Sequence, residues 1–204
     1  MDAVANPNAE SRRRLTSRGQ RRRDELMECG ARLFAHKGYH PTSVHEIVTS
    51  LGVGKGVFYW YFSSKEEFFL EILKGAQTDL RRRQQAAIAE ELDPIRRIEL
   101  GIAESLGWFR QHRDMFNLFQ FAVTQERFAS ALRQGQHVAV ADVARHIKDA
   151  INQGRIRDQD PDLLAQAIVG VMSHLARTYL YEKDEPVSQV AEGATSFCLH
   201  GLLG

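Results

Sequence analysis

Two serine motifs constrain the fold of the first third of the chain more than any other feature. Ser43-Val-His-Glu46 and Ser64-Lys-Glu-Glu67 both have the form of a capping box. In that motif the serine hydroxyl accepts a hydrogen bond from a free backbone N–H, and the glutamate reaches back to the start of the helix. Apolar residues at helical spacing follow each motif. We therefore predict that one helix begins at each serine.

The stretch between these motifs, GVGKGVFYWYF from Gly52 to Phe62, is ambiguous by composition. Aromatic and β-branched residues favour a strand, but the same residues fit a short helix that buries two rings and exposes the others. No other segment of the sequence predicts a strand, and an isolated strand is not stable. We therefore predict a helix from about Lys55, with Phe58 and Phe62 four residues apart on its buried face.

The remaining side chains of this short helix suit the major groove of DNA. A helix start favours anions, glycine lets the backbone approach closely, and Tyr hydroxyl and Trp N–H groups can donate to phosphate oxygens. The residues predicted to lie on this surface are Lys55, Gly56, Val57, Tyr59, Trp60 and Tyr61. For Val57 and Trp60 a second interpretation stays open, in which they pack against the core.

Helical spacing continues along the whole chain. One helix extends from about Gln20 to Lys37, and Gly38 follows where helices commonly end. Asp93-Pro94 and Asp160-Pro161 each combine a capping aspartate with a proline that suits the first helical position. The predicted fold class is all-α, with an N-terminal three-helix helix-turn-helix DNA-binding domain joined to a larger C-terminal helical bundle and about nine helices in total.

Charge divides the chain into two parts. Residues 1–65 contain 11 Lys or Arg and 6 Asp or Glu, a net charge of +5, whereas residues 66–204 have a net charge of −4. A basic segment ahead of a mildly acidic body is typical of a chain whose first part meets a polyanion. The alternative for Arg12, Arg13 and Arg14 is a solvated arginine tail.

Composition argues against several classes of function. The chain lacks both the roughly 18 apolar residues that a membrane helix needs and an apolar signal segment, so we expect a cytoplasmic protein without membrane contact. The spacing of its two cysteines and eight histidines predicts no metal site and no cofactor. The GVGKG sequence lacks the serine or threonine that follows the lysine of a phosphate-binding loop, and we identify no catalytic residue. An all-α enzyme is the disfavoured alternative.

Residues 34–72, FAHKGYHPTSVHEIVTSLGVGKGVFYWYFSSKEEFFLEI, resemble the N-terminal domain of the TetR-type transcriptional regulators. The shared features are a Phe-Ala-x-x-Gly-Tyr end to the first helix, a Thr-Ser pair, Ile-Val, Leu-Gly-Val, Lys-Gly, Tyr-x-Tyr-Phe and Ser-Lys-Glu-Glu, in the family's order and spacing. Gly54 departs from the serine or similar capping residue that family members usually have at that position.

The resemblance implies that ten residues bind double-stranded DNA. Phosphate contacts at the starts of the second and fourth helices would come from Thr42, Ser43 and Lys65. Contacts in the major groove would come from His45, Lys55, Gly56 and Val57. Contacts with sugar-phosphate or base edges would come from Tyr59, Trp60 and Tyr61.

The two final helices are rich in small residues, which let helices approach closely and suit a dense seam. These residues are Ala165, Ala167, Gly170, Ala176, Ala191, Gly193, Ala194 and Gly201. An ordinary core within one chain has the same composition. The resemblance favours a homodimer, because TetR-type regulators pair through their last two helices and read a palindromic operator as two half-sites.

The middle helices carry aromatic residues that could line a pocket for a small hydrophobic effector, and polar residues there and on the next helix could orient it. The candidates are Trp108, Phe109, Phe116, Phe119, Gln120, Phe128, His137, His174 and Arg177. An ordinary helical core is the alternative for the aromatic members.

The predicted function is a ligand-responsive transcriptional regulator, a repressor released from its operator by the effector. A DNA-binding adaptor that ignores small molecules and acts through a protein partner is compatible with the same N-terminal domain. We predict a flexible basic arm over residues 1–18, the DNA-binding domain over residues 19–65, and the effector-binding and dimerisation domain over residues 66–204.

Overall fold

A computed structural model describes residues 15–203, and within them it contains nine α-helices and no strand. The helices are α1 (Ser17–Lys37), α2 (Val44–Ser50), α3 (Lys55–Tyr61), α4 (Lys65–Ala87), α5 (Pro94–Gln111), α6 (Arg113–Val123), α7 (Glu126–Asn152), α8 (Pro161–Leu175) and α9 (Val187–Leu203). A π-helical segment, Ala176–Glu182, continues α8. The all-α prediction with about nine helices is confirmed. None of the helices in this range is both long and apolar enough to cross a membrane.

The predicted caps explain where the helices begin. The hydroxyl of Ser43 accepts a hydrogen bond from the N–H of Glu46 at 3.1 Å, and that of Ser64 accepts one from the N–H of Glu67 at 3.0 Å. Gly38 and Gly52, which follow α1 and α2, have φ angles of 89° and 65°. Because side chains disfavour such angles, glycine at these two positions lets the chain turn sharply.

Helix α1 begins earlier than predicted. Thr16 caps it by accepting a hydrogen bond from the N–H of Gly19 at 3.2 Å, so the helix starts at Ser17 and not near Gln20. Arg18, assigned to the flexible arm, therefore belongs to α1. The first 14 residues of that predicted arm, with Arg12, Arg13 and Arg14, lie outside the described residues.

The apolar side chains form two separate clusters, which we call the N-terminal core and the C-terminal core. The N-terminal core joins α1 to α4 with the end of α6 and the start of α7. Its members are Leu26, Cys29, Phe34, Tyr39, Ile47, Val48, Phe58, Phe62, Phe68, Phe69, Ile72, Leu73, Leu118, Ala122, Phe128 and Leu132. The C-terminal core is built from α5, the start of α6, the second half of α7, α8 with its π-helical extension, and α9.

The predicted domain boundary at residue 65 falls at the first residue of α4. The first half of α4 nevertheless contributes Phe68, Phe69, Ile72 and Leu73 to the N-terminal core. Helix α4 is thus shared between the two parts of the chain, and the division into residues 19–65 and 66–204 stays a prediction.

A close contact between α1 and α4 brings the N-terminal core together. A Cβ atom placed on Gly30 would lie 2.3 Å from the ring of Phe68, closer than real atoms approach. The Phe68 ring also packs against Phe58, Phe62 and Phe34, with centroid distances of 5.0, 4.7 and 6.0 Å. The absence of a side chain at residue 30 is therefore a condition for the position of α4.

We predict that Gly30→Ala lowers the free energy of unfolding by about 1–3 kcal/mol, because the added methyl group overpacks the Phe68 site. Gly101→Ala is the matched control, since a Cβ on that glycine of α5 meets no atom within 4 Å. Alanine there should leave stability unchanged or raise it by up to about 1 kcal/mol through helix propensity. Chemical denaturation of both variants measures this, and equal stability of the two would contradict the contact.

Candidate nucleic-acid interface

Helix α3 separates its aromatic residues into a buried and an exposed set, as predicted. Phe58 and Phe62 are buried in the N-terminal core, with ring centroids 5.4 Å apart. Tyr59 and Trp60 are 55% and 58% exposed. Since Trp60 projects into solvent, the alternative in which it packs against the core is not what the structure shows. Two adjacent aromatic side chains are thus available to a partner.

The start of α3 is open to approach from outside. Gly54 occupies the N-cap position with an extended backbone and without a side-chain hydrogen bond. A Cβ on Gly54 or Gly56 would meet no atom within 4 Å, and Lys55 beside them is exposed. The departure at Gly54 therefore leaves the first amides of the helix uncovered, although it removes the hydroxyl that a serine would supply.

Val57 and Tyr61 have an intermediate position. Both are half-buried and pack against the N-terminal core. The ring of Tyr61 meets that of Trp60 edge to face, with the centroids 4.6 Å apart. Val57 and Tyr61 therefore lie between the core and the exposed residues Tyr59 and Trp60, and part of each side chain remains accessible to solvent.

Helix α2 presents two of the predicted residues. Ser43 and His45 are exposed, whereas Ile47 and Val48 are buried beneath them in the N-terminal core. The Ser43 hydroxyl accepts a hydrogen bond from the N–H of Glu46, and among the described residues nothing accepts its proton. A serine in this state can donate to a phosphate oxygen while it caps the helix.

The structure contradicts the phosphate contact predicted for the side chain of Thr42. Thr42 is fully buried, and its hydroxyl lies 2.8 Å from the carbonyl oxygen of Gly38 and 3.3 Å from that of Leu33. The single hydroxyl proton is therefore used to hold the turn between α1 and α2. Resemblance in sequence could not reveal this, because threonine serves both as a surface donor and as a buried one.

Lys65 also differs from the prediction. Its Nζ donates to the carbonyl oxygens of Tyr39, His40 and Thr42, at 2.8, 3.3 and 2.7 Å. The same atom lies 4.3 Å from the centroid of the Tyr39 ring. Partial burial lowers the pKa of Lys65 below its ordinary value. With three carbonyl acceptors for three N–H groups, no donor is left over for a phosphate in this arrangement.

Most other basic side chains of the N-terminal part are paired with acids. Arg22 lies 2.8 Å from Glu25, Arg23 2.7 Å from Glu71, and Arg32 2.7 Å from Glu28. Lys37 pairs with Glu46, and this hydrogen bond lowers the pKa of the Glu46 carboxyl. Of the Lys and Arg residues described between 15 and 64, those without an acidic partner are Arg18, Arg21 and Lys55.

Tyr39 is a residue that the sequence argument missed. It is buried, its hydroxyl donates to Glu66 at 3.0 Å, and its ring centroid lies 5.0 Å from the guanidinium carbon of Arg127 on α7. Burial, followed by the hydrogen bond to Glu66, raises the pKa of Tyr39 to about 12. The Gly-Tyr end of the first helix is the sequence signal that marks this position. Tyr39 thus joins the turn before α2 to both α4 and α7.

The predicted effector residues do not converge on one place. Phe119 and Phe128 pack in or against the N-terminal core, and the prediction that they line an effector pocket is not supported by that location. Phe116 is buried in the C-terminal core and Phe109 packs against it. Trp108 is buried and donates from Nε1 to Asp79 at 2.8 Å. The polar candidates Gln120, His137, His174 and Arg177 are exposed.

Two surface grooves lie elsewhere. One, of about 330 Å³, is lined by Arg23, Met27, Glu71, Lys74, Gly75, Thr78, Asp79 and Arg82, between α1 and α4. The other, of about 720 Å³, is lined by residues of α1 and by Leu15. Neither groove includes a predicted effector residue.

A helix-turn-helix unit whose last helix has an exposed aromatic face, attached to a larger helical bundle, is typical of a DNA-binding transcriptional regulator. The family model described as bacterial regulatory proteins, tetR family, matches residues 26–72. These residues form the N-terminal DNA-binding unit of the TetR-type transcriptional regulators. The resemblance stated from the sequence is thereby confirmed.

Relatives extend the match beyond the N-terminal unit. The uncharacterized HTH-type transcriptional regulator YdgC of Bacillus subtilis is 22% identical over 198 residues, which cover 93% of this chain and 96% of YdgC. The HTH-type transcriptional repressor KstR2 of Rhodococcus jostii is 36% identical over 90 residues, 44% of each chain. The fatty acid degradation regulator FadR of Bacillus halodurans has the same fold, with a TM-score of 0.81, 15% identity, and coverage of 89% of this chain and 96% of FadR. These relatives are regulators and not enzymes.

Variants of α3 test the division between its buried and exposed faces. We predict that Lys55→Ala and Tyr59→Phe each weaken binding to the operator about tenfold, about 1.4 kcal/mol, because each removes a donor to DNA. Neither should lower the melting temperature, since both side chains are exposed. Phe58→Ala should instead cost about 3–5 kcal/mol of stability through the cavity left in the N-terminal core.

Thermal melting beside operator binding distinguishes these cases. Val57→Ala is the intermediate variant, because loss of a contact with a thymine methyl group should change preference at one base pair per half-site. Unfolding of the Lys55 and Tyr59 variants, or operator binding as tight as that of the parent, would show that α3 is not a recognition helix.

Proposed function

We propose that the protein is a homodimeric repressor that binds a palindromic DNA operator and is released from it by a small hydrophobic molecule. The observation that carries this proposal is α3, which buries Phe58 and Phe62 and leaves Lys55, Tyr59 and Trp60 on an open surface. The name of KstR2, a transcriptional repressor, supports the sign of regulation. Such a regulator acts where the chromosome is, in the cytoplasm.

We assign DNA binding to Ser43, His45, Lys55, Tyr59 and Trp60. The amide of Gly56 and the half-buried side chains of Val57 and Tyr61 complete this surface. Lys55 supplies a charge for a phosphate, and the neutral donors of Ser43, Tyr59 and Trp60 fix the register of the helix on the backbone. Specificity would come from the side chains at the first turn of α3, where the approach is least obstructed.

An exposed face on α8 and α9 supports the dimer. Leu163, Ala167 and Gly170 lie on one side of α8, and Gly193 and Phe197 lie four residues apart on α9. Leu163 is 66% and Phe197 69% exposed, and a Cβ on either glycine would meet no atom within 4 Å. An apolar face with small residues suits close packing against a second copy.

Four other small residues of the predicted seam have another role. Ala165, Ala176, Ala191 and Ala194 are buried in the C-terminal core of the same chain. These small residues of α8 and α9 therefore form two groups, one buried in the core of the same chain and one exposed on the outward face. Two copies paired through this outward face would carry their α3 helices to successive major grooves, about 34 Å apart.

The effector part of the proposal rests on the family, whose regulators usually respond to small molecules. We place the site in the C-terminal bundle, near Phe109 and Phe116. Binding there would favour one of two arrangements of α4 relative to the bundle, and with it one spacing of the two α3 helices. Operator release by a screened set of hydrophobic molecules would identify the effector, and release by none would favour an adaptor that acts through a protein partner.

Selection of bound sequences from random duplex DNA tests the proposed function directly. We expect a palindrome whose half-sites are about 10 base pairs apart from centre to centre. The affinity for that operator should fall steeply between about 50 mM and about 200 mM salt, because cations released from phosphates accompany binding. Failure to enrich any sequence, or an affinity insensitive to salt, would contradict the proposal.

A single substitution tests the dimer face. Phe197→Lys should convert the dimer to a monomer in sedimentation and weaken operator binding at least tenfold, because two half-sites can no longer be bound together. Leu92→Lys is the matched control, as Leu92 is 84% exposed in the connection between α4 and α5. A Phe197→Lys protein that stays dimeric would rule out this face.

A further inference from the structure

The three carbonyl groups bound by Lys65 belong to one short segment, the turn that leads from α1 into α2. Tyr39, His40 and Thr42 are the residues whose oxygens lie 2.7–3.3 Å from Nζ. Thr42 immediately precedes Ser43, the residue that caps α2. Lys65 therefore binds the backbone just before α2, where the helix-turn-helix formed by α2 and α3 begins.

Glu66, the next residue of α4, also binds this turn. Glu66 accepts a hydrogen bond from the Tyr39 hydroxyl at 3.0 Å, while the Tyr39 ring lies 4.3 Å from Lys65 Nζ. Within the turn itself, the Thr42 hydroxyl binds the carbonyl of Gly38. Two consecutive residues at the start of α4 thus determine where the turn lies.

The position of this turn sets the position of the DNA-binding helices. Helix α2 starts at the turn, and its residues Ile47 and Val48 pack in the same core as Phe58 of α3. A displacement of the turn would therefore tilt α2 and α3 relative to α4. Because base readout depends on the angle at which a helix enters the groove, a small tilt changes recognition without unfolding the domain.

We propose that Lys65 is a positioning residue for DNA recognition, which orients α2 and α3 by binding three backbone carbonyls, and that it is not a phosphate ligand. The inference rests on the proposed function, in which α2 and α3 contact an operator. An ammonium group can direct three N–H bonds to converging acceptors, whereas the planar guanidinium of arginine cannot reproduce that arrangement. Arginine, on the other hand, binds phosphate at least as well as lysine.

Lys65→Arg is therefore the decisive variant, with Lys65→Met as the uncharged one. Both should lower affinity for the selected operator about tenfold and change affinity for random DNA less than about twofold, because orientation affects base contacts and not the general attraction to phosphates. For Lys65→Arg the dependence of affinity on salt should equal that of the parent. All measurements are made below the melting temperature of each variant.

Lys55→Met is the matched control for a phosphate contact at the same interface. It should weaken binding to operator and random DNA alike and reduce the slope of log affinity against log salt by about 0.9 per protomer. The same behaviour from Lys65→Met, with full binding restored by Lys65→Arg, would overturn the positioning role. Unchanged affinities with only a lower melting temperature, or loss of the fold in both Lys65 variants, would overturn it as well.

Hydrogen exchange without DNA separates this inference from the proposed function. In Lys65→Arg the amides of residues 43–50 should exchange faster than in the parent, while those of α5 should not change. If the parent protein selects no operator from random DNA but the local increase in exchange is present, the proposed function is wrong. The positioning of the turn by Lys65 is then still supported. If exchange is unchanged, the positioning role fails whatever the parent binds.

Discussion

The contact between Gly30 and Phe68 is the constraint on which the N-terminal half of the structure depends. Because residue 30 has no side chain, the Phe68 ring can lie directly on α1. From there it touches Phe58 and Phe62, the two buried rings of α3. The position of α4 against α1 and the packing of the buried face of α3 therefore depend on one close approach of backbone to ring. Aromatic packing of this density limits rearrangements of α3 relative to α4 to small tilts.

The local features of this protein follow from its sequence, and the long-range ones do not. Capping at Ser43 and Ser64 and the helical state of α3 depend on neighbouring residues, so pattern and stereochemistry suffice to predict them. The role of Lys65 depends on a turn more than 20 residues away. Helical periodicity likewise predicts that Phe128 is buried, but it cannot say that the core it enters is the N-terminal one.

The surface around α3 combines few free charges with several neutral donors. Lys37 is neutralised by Glu46, and Lys65 is occupied by carbonyls. Neutral hydroxyl and indole donors can fix the position of a phosphate, yet they displace no counterions, so they add to geometry more than to electrostatic affinity. If the proposed function holds, long-range attraction to DNA would come from Lys55 and from arginines such as Arg18 and Arg21 at the start of α1.

The N-terminal core also has a consequence for how the chain is made. The core residues supplied by α1 to α4 end at Leu73. The same core is completed by residues of α6 and α7, namely Leu118, Ala122, Phe128 and Leu132. During synthesis at about 5–20 residues per second, roughly 3 to 12 s separate translation of residue 73 from that of residue 132. For that interval Phe69, whose ring later packs 4.7 Å from Phe128, has no partner from α7. The helix-turn-helix unit is first in the sequence, but its core is complete only after residue 132 has been made.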